Sequence, residues 1–111
     1  MSATGSGDIL ARLEETIRAR KGADPESSHV ARLFAKGRAK IAQKVGEEAV
    51  ETALAAVGGG PPGEVASEAA DLVFHLLILL ADCGLSLDDV RAELARREGL
   101  SGIAEKAARP R

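Results

Sequence analysis

A chain of 111 residues has the size of one domain, and with 45% apolar but only 2% aromatic residues it must build its core from Leu, Ile, Val and Ala, which favours packed helices over sheet. Fifteen basic residues against seventeen acidic ones exclude a broad basic face for DNA or RNA, though not a small anionic ligand. The lone Cys83 excludes an intramolecular disulfide, the opening MSATGSGDIL lacks the pattern of a secretory signal, and the longest apolar run, Leu72 to Ala81, is too short to span a bilayer. A cytoplasmic protein with no membrane role is expected.

In chain order, residues 1–8 read as a flexible leader, 9–99 as an all-α domain and 100–111 as a tail. Ile9, Leu10, Leu13 and Ile17 recur at helical spacing from a cap at Asp8 to a stop at Gly22. The Ala23-Asp24-Pro25-Glu26 segment reads as a turn, and Ser27 or Ser28 can cap a short helix ending near Gly37. Ile41, Val45, Ala49, Ala53 and Val57 then mark a long helix from Arg38 to Val57, with Gly46 inside it. The Gly58-to-Gly63 stretch breaks that helix, and a second long one runs from about Glu64 through Cys83, stopping at Gly84. A short loop between two long helices predicts an antiparallel hairpin. Ser86 followed by Asp89 resembles a capping box and opens a last helix through Leu87, Val90 and Leu94 to Gly99.

Acidic pairs at i, i+3 sit on both long helices: Glu48 and Glu51, with Glu47 beside them, and Glu68 with Asp71. Across an antiparallel hairpin both pairs reach similar depth, so four carboxylates can converge. Repulsion and desolvation make such a cluster costly without cations, and all-oxygen ligands favour Mg²⁺ or Mn²⁺. The same acids also fit an ordinary solvated face, because Lys40, Lys44, Glu47, Glu48 and Glu51 form a stripe opposite Val45, Ala49 and Ala53. The returning helix tips the balance toward a site. Its Glu64, Glu68, Asp71, His75 and Asp82 share one narrow stripe, and leucines and other apolar residues fill the remaining arc, which predicts burial on more than one side and a two-fold partner subunit.

Gly46 costs about 1 kcal/mol relative to Ala inside a helix, and either close approach of a phosphate or tight helix packing accounts for it. Lys36, Lys40, Lys44 and Arg38 are available to phosphate charge. His75 reads as a hydrogen-bonded core histidine or as a residue orienting the Asp71 carboxylate one turn before it. Cys83 is expected to pack in the core at a helix end.

The stretch Lys40-Ile-Ala-Gln-Lys-Val-Gly-Glu-Glu-Ala-Val-Glu51, with Glu68-Ala-Ala-Asp71-Leu-Val-Phe-His75 after it, resembles the phosphoribosyl-ATP pyrophosphatase family, a branch of the all-α nucleoside triphosphate pyrophosphatases. Arg20-Lys-Gly-Ala-Asp-Pro-Glu-Ser-Ser28, Leu33-Phe-Ala-Lys-Gly37 and Ser101-Gly-Ile-Ala-Glu-Lys-Ala-Ala-Arg109 carry the likeness along the chain. The resemblance implies a homodimer of helical hairpins forming a four-helix-bundle-type assembly. It implies that Glu48, Glu51, Glu68 and Asp71 hold Mg²⁺ against the triphosphate of phosphoribosyl-ATP, that Lys40 and Lys44 contact phosphate, and that Glu47 binds metal or takes the proton of the attacking water. The reaction implied is release of pyrophosphate, the second step of histidine biosynthesis. His29 stands where relatives commonly carry an aromatic residue. Two alternatives remain beside this one: a house-cleaning nucleotide pyrophosphatase of the same superfamily, and a helical interaction module with a solvated acidic stripe. A di-iron bundle is disfavoured because neither long helix has Glu-x-x-His spacing.

Overall fold

The computed structural model describes residues 8–98, which form five α-helices and no strand. They are α1 (Ile9–Arg20), α2 (His29–Lys36), α3 (Arg38–Val57), α4 (Pro62–Asp82) and α5 (Leu87–Glu98). The expected leader before Asp8 and the tail after Glu98, with its Ser101-to-Arg109 motif, lie outside the described residues.

Local capping explains most of the boundaries. The Asp8 carboxylate accepts from Leu10 N–H at 3.2 Å, and the Ser28 hydroxyl accepts from Ala31 N–H at 3.1 Å, so each satisfies a donor that the first helical turn leaves free. Gly37, at φ 99°, lets the chain leave α2 and enter α3 without an intervening loop. Helix α4 starts at Pro62, two residues earlier than the sequence suggests, because proline suits the first helical position, where an N–H has no partner anyway. It ends in a Schellman motif: Leu85 N–H reaches Leu80 C=O at 2.8 Å, Gly84 N–H reaches Ala81 C=O at 3.1 Å, and Gly84 takes φ 77°. Asp89 reaches back to Ser86 N–H at 2.8 Å and to its hydroxyl at 3.2 Å, as half of a capping box.

The α3–α4 hairpin is the spine of the structure. Ile17 of α1, Leu33 of α2, Ile41 of α3 and Leu77, Ile78 and Ala81 of α4 form one buried cluster, with Phe34, Val73 and Phe74 packed around it. This core gathers at the end of the hairpin away from its loop, since α1 and α2 cover only that half. Two side chains tie the same end together. The Lys21 ammonium donates to Ala81 C=O at 3.1 Å, and Arg38 donates to the Asp82 carboxylate at 2.8 Å and to its backbone C=O at 2.9 Å. Arg38 thereby satisfies a carbonyl that the end of α4 would otherwise leave open, and Lys21 adds a second donor to the one that Gly84 N–H already reaches.

The loop end of the hairpin is uncovered. Val50, Leu54 and Val57 of α3 are 58%, 61% and 82% exposed, an apolar strip at the spacing of one helix face. Here the structure corrects the sequence reading of α3, because Ala49 and Ala53 face solvent whereas Glu48, placed opposite the core by the helical wheel, is buried. Cys83 is also corrected: as the C-cap of α4 it is exposed rather than packed in the core. Helix α5 buries no residue and is held mainly at its start, where the Glu14 carboxylate accepts from Leu87 N–H at 2.6 Å and Asp8 pairs with Arg91 at 3.3 Å.

Truncating Ile78 to Ala removes buried methyl groups shared by four helices and is expected to cost about 2–5 kcal/mol. Gly84→Ala forces a Cβ into the left-handed region and is expected to cost about 1–2 kcal/mol. Urea unfolding of both variants checks the ranking.

Candidate active site

Antiparallel pairing sets the register of α3 against α4. Ile41 and Ile78 meet in the core, and two helical turns along each helix toward the loop lie Glu48 and Asp71. The outcome is a cluster in which one carboxylate oxygen from each of Glu48, Glu68 and Asp71 lies within 4.8 Å of the others. Glu48 is buried, Glu68 half-buried and Asp71 exposed, so the cluster opens to solvent on the α4 side. Glu51, one turn after Glu48, lies near enough for its charge to act on Glu68 and extends the acidic group toward the loop.

The cluster is electrostatically strained. Burial, reinforced by the charges of Glu51, Glu48 and Asp71, pushes the Glu68 carboxyl above its usual range. One oxygen of Glu48 and one of Glu68 are buried without any hydrogen-bond partner among the described residues. Carboxylates that converge while keeping lone pairs unsatisfied suit a hard divalent cation, whose charge answers both the repulsion and the missing contacts. From the cluster an open groove of about 480 Å³ runs toward the hairpin loop, lined by Glu51, Leu54, Ala55, Gly60, Glu64 and Glu68.

Basic residues flank the acids. Lys44 pairs with Glu47 at 3.6 Å and with Glu48 at 4.0 Å, so it rests against the carboxylates. Glu47 points outward, and its carboxylate, which accepts from the Gln43 amide at 2.9 Å, is held below the usual range by that bond and by Lys44 and Lys40. Lys40 is exposed one turn before Lys44. A methyl group added at Gly46 would meet nothing within 4 Å, so helix packing inside the chain does not account for that glycine and the space beside it is open. His75 is buried, and its Nδ1–H donates to the backbone carbonyl of Asp71 at 2.8 Å, leaving Nε2 without a hydrogen-bond partner among the described residues. The contact is with the Asp71 main chain rather than its carboxylate.

Residues 10–98 match the family model described as phosphoribosyl-ATP pyrophosphohydrolase. The chain belongs to this family. Named phosphoribosyl-ATP pyrophosphatases are similar over nearly their whole length. That of Rhizorhabdus wittichii is 64% identical over 92% of this chain and 95% of its own. For Erythrobacter litoralis the identity is 63%, over 92% and 97%, and for Novosphingobium aromaticivorans it is 60%, over 93% and 95%.

Membership in the phosphoribosyl-ATP pyrophosphohydrolase family makes the protein an enzyme of the hydrolase class. Of the acidic stripe read from the sequence, the structure brings Glu48, Glu68 and Asp71 together with Glu51 against them, whereas Asp82 is taken by Arg38 and Glu64 lines the groove. The Asp82 pair also occupies Arg38, a candidate phosphate contact. One arrangement escaped the sequence reading: the His29 ring lies parallel to that of Phe74, with centroids 6.4 Å apart, and Phe74 meets His75 edge-on at 5.1 Å. The positions are far apart in sequence, and only the docking of α2 on α4 joins them.

The raised Glu68 pKa has a sign that can be measured. Well below pH 4.5, its ordinary value, the carboxyl is protonated both folded and unfolded and costs nothing. As pH rises, the unfolded chain releases its proton first, so the contribution of Glu68 to stability falls until the raised folded value is passed. In EDTA, Glu68→Gln is therefore expected to gain melting temperature over wild type as pH increases through the carboxylate range, a difference checked by calorimetry at a series of pH values.

Proposed function

We propose that the protein hydrolyses phosphoribosyl-ATP to phosphoribosyl-AMP and pyrophosphate, the second step of histidine biosynthesis, with Mg²⁺ held by Glu48, Glu51, Glu68 and Asp71. The observation that carries this reading is the strained, partly unsatisfied carboxylate cluster beside an open groove, in a chain whose relatives bear the name of that activity. Mn²⁺ has the same ligand preference and is expected to substitute.

The chemistry that a bound Mg²⁺ supplies is polarisation of the α,β-phosphoanhydride and neutralisation of charge on the departing pyrophosphate. The protein side chains do the rest. Glu48, packed against the core, and Asp71, on the open side, bracket the triphosphate position from opposite helices, so the substrate is oriented by a rigid frame rather than by loops. Glu47, ionised and fixed by Gln43 and Lys44, accepts a hydrogen bond from the attacking water and receives its proton at a carboxylate oxygen. Lys40 and Lys44 meet the phosphate chain, Lys44 exchanging its contacts with Glu47 and Glu48 for the substrate. His75 fixes the backbone turn that carries Asp71. The open space at Gly46 admits a phosphate close to the α3 backbone.

Incubation with phosphoribosyl-ATP, ATP, dUTP and dCTP in turn, with Mg²⁺, distinguishes this reaction from a general nucleotide pyrophosphatase. Pyrophosphate release is expected from phosphoribosyl-ATP alone, abolished by EDTA and reduced about 10²-fold or more by Asp71→Asn, on the scale of losing one transition-state charge contact. Release from another nucleotide instead would keep the site and change the substrate.

The working form we propose is a two-fold homodimer in which the uncovered strip Val50, Leu54 and Val57 packs against its copy, giving a four-helix-bundle-type core around the two hairpins. It supports this reading that so apolar a strip adjoins the groove on the half of the hairpin that α1 and α2 leave bare. Sedimentation at micromolar concentration is expected to give a dimer for wild type and a monomer for Leu54→Glu; a monomeric wild type would refute the assembly. The enzyme is expected in the cytoplasm, without nucleic-acid or membrane partners, and among the described residues no single helix is long and apolar enough to cross a membrane.

A further inference from the structure

A second charged surface lies apart from the carboxylate cluster. His29, Arg32 and Lys36 recur at i, i+3 and i+7 on α2, so three basic side chains share one side of a short helix, and all three are exposed. Arg32 and Lys36 have no ion-pair partner among the described residues. Other cations nearby are committed: Lys44 to Glu47 and Glu48, and Arg38 to Asp82. The leading charges acting on the His29 ring are those of Arg32, His75, Lys36 and Lys44, all of them basic, in a protein whose net charge is negative.

The position of this face is fixed by rings. His29 lies parallel to Phe74 with centroids 6.4 Å apart, and Phe74 stands about one turn beyond Asp71 on α4. A turn advances about 5.4 Å, so the basic face begins on the order of 10 Å from the acidic cluster. That is the span of a nucleoside. The cluster accounts for the triphosphate, but phosphoribosyl-ATP carries a further anion that ordinary nucleoside triphosphates lack: the phosphomonoester on the ribose attached to its adenine ring.

We propose that His29, Arg32 and Lys36 form a specificity site for this remote phosphomonoester, with Arg32 offering paired N–H donors, Lys36 a point charge and His29 a ring N–H. The inference rests on the substrate reading above and names the part of the substrate that α2 reads. It gives the hydrolase a reason to discriminate against ATP without altering the carboxylate cluster, because selection acts through a group far from the bond that breaks. Glu and Asp are absent from the face, which keeps a dianion from meeting repulsion there.

The test uses the Mg²⁺-loaded enzyme with two substrates, phosphoribosyl-ATP and its analogue lacking the ribose phosphate. Wild type is expected to show a KM for the analogue raised by about tenfold or more, the size of one lost charge-assisted contact. Arg32→Gln with Lys36→Gln is expected to raise KM for phosphoribosyl-ATP to a similar degree, to leave kcat within about twofold, and to add no further penalty on the analogue. Arg32→Lys is expected to recover part of the loss, and matched melting temperatures confirm the fold, with the single variants standing in if the double variant is unstable. An active wild type whose KM is unmoved by the substitutions, or variants equally impaired on both substrates, would overturn the specificity site alone. A wild type that leaves phosphoribosyl-ATP intact would overturn the substrate reading beneath it.

Discussion

Three carboxylates held within 4.8 Å of one another across two helices are the constraint around which the rest of the structure is arranged. Left free, the hairpin would slide or splay to separate Glu48 from Glu68 and Asp71, since like charges in a partly buried site repel and lose hydration together. It cannot do so without breaking the core. Ile41, Leu77 and Ile78 lock the register two turns away, and Lys21 and Arg38 fasten the end of α4 to the neighbouring helices. Packing free energy thus holds electrostatic strain in place, and the proposed cation would relieve it.

The same division of labour explains the shape of the hairpin. One half is covered by α1 and α2 and supplies rigidity; the other half is bare and supplies surface. The acidic cluster sits where the two halves meet, with a buried Glu48 on the packed side and an exposed Asp71 on the open side. A site at such a boundary gains fixed ligand positions from the core while staying open to a large anion. The apolar strip on α3 and the basic face of α2 lie on either side of that boundary, so the proposed assembly and substrate selection would each act beside the carboxylates without using them.

Much of this architecture was legible in sequence because helix ends are written locally. Asp8, Ser28, Gly37 and Gly84 signal their caps within a few residues, and the boundaries of α3 follow from Gly37 and Gly58. What sequence could not supply was the direction each helix faces. A helical wheel counts Ala49 and Ala53 as core and Glu48 as surface, yet small alanines gain little from burial, while the packing of α4 against α3 buries Glu48 in spite of the acids it meets there. Cys83 reads as core because free cysteines are usually buried, yet as the C-cap of α4 it is left exposed. Glu14 capping α5, Arg38 closing α4 and His29 stacking on Phe74 join positions distant in the chain, and no local pattern announces them. The resemblance to a known family named the acidic residues, and the register of α3 against α4 explains why those positions meet.

Diffraction from crystals soaked in Mn²⁺, recorded at the manganese absorption edge, tests whether these carboxylates hold a cation. An anomalous peak is expected between Glu48, Glu68 and Asp71, at oxygen-ligand distances of about 2–2.5 Å. Saturating Mn²⁺ that leaves this position empty, with the three side chains turned away from one another, would contradict it.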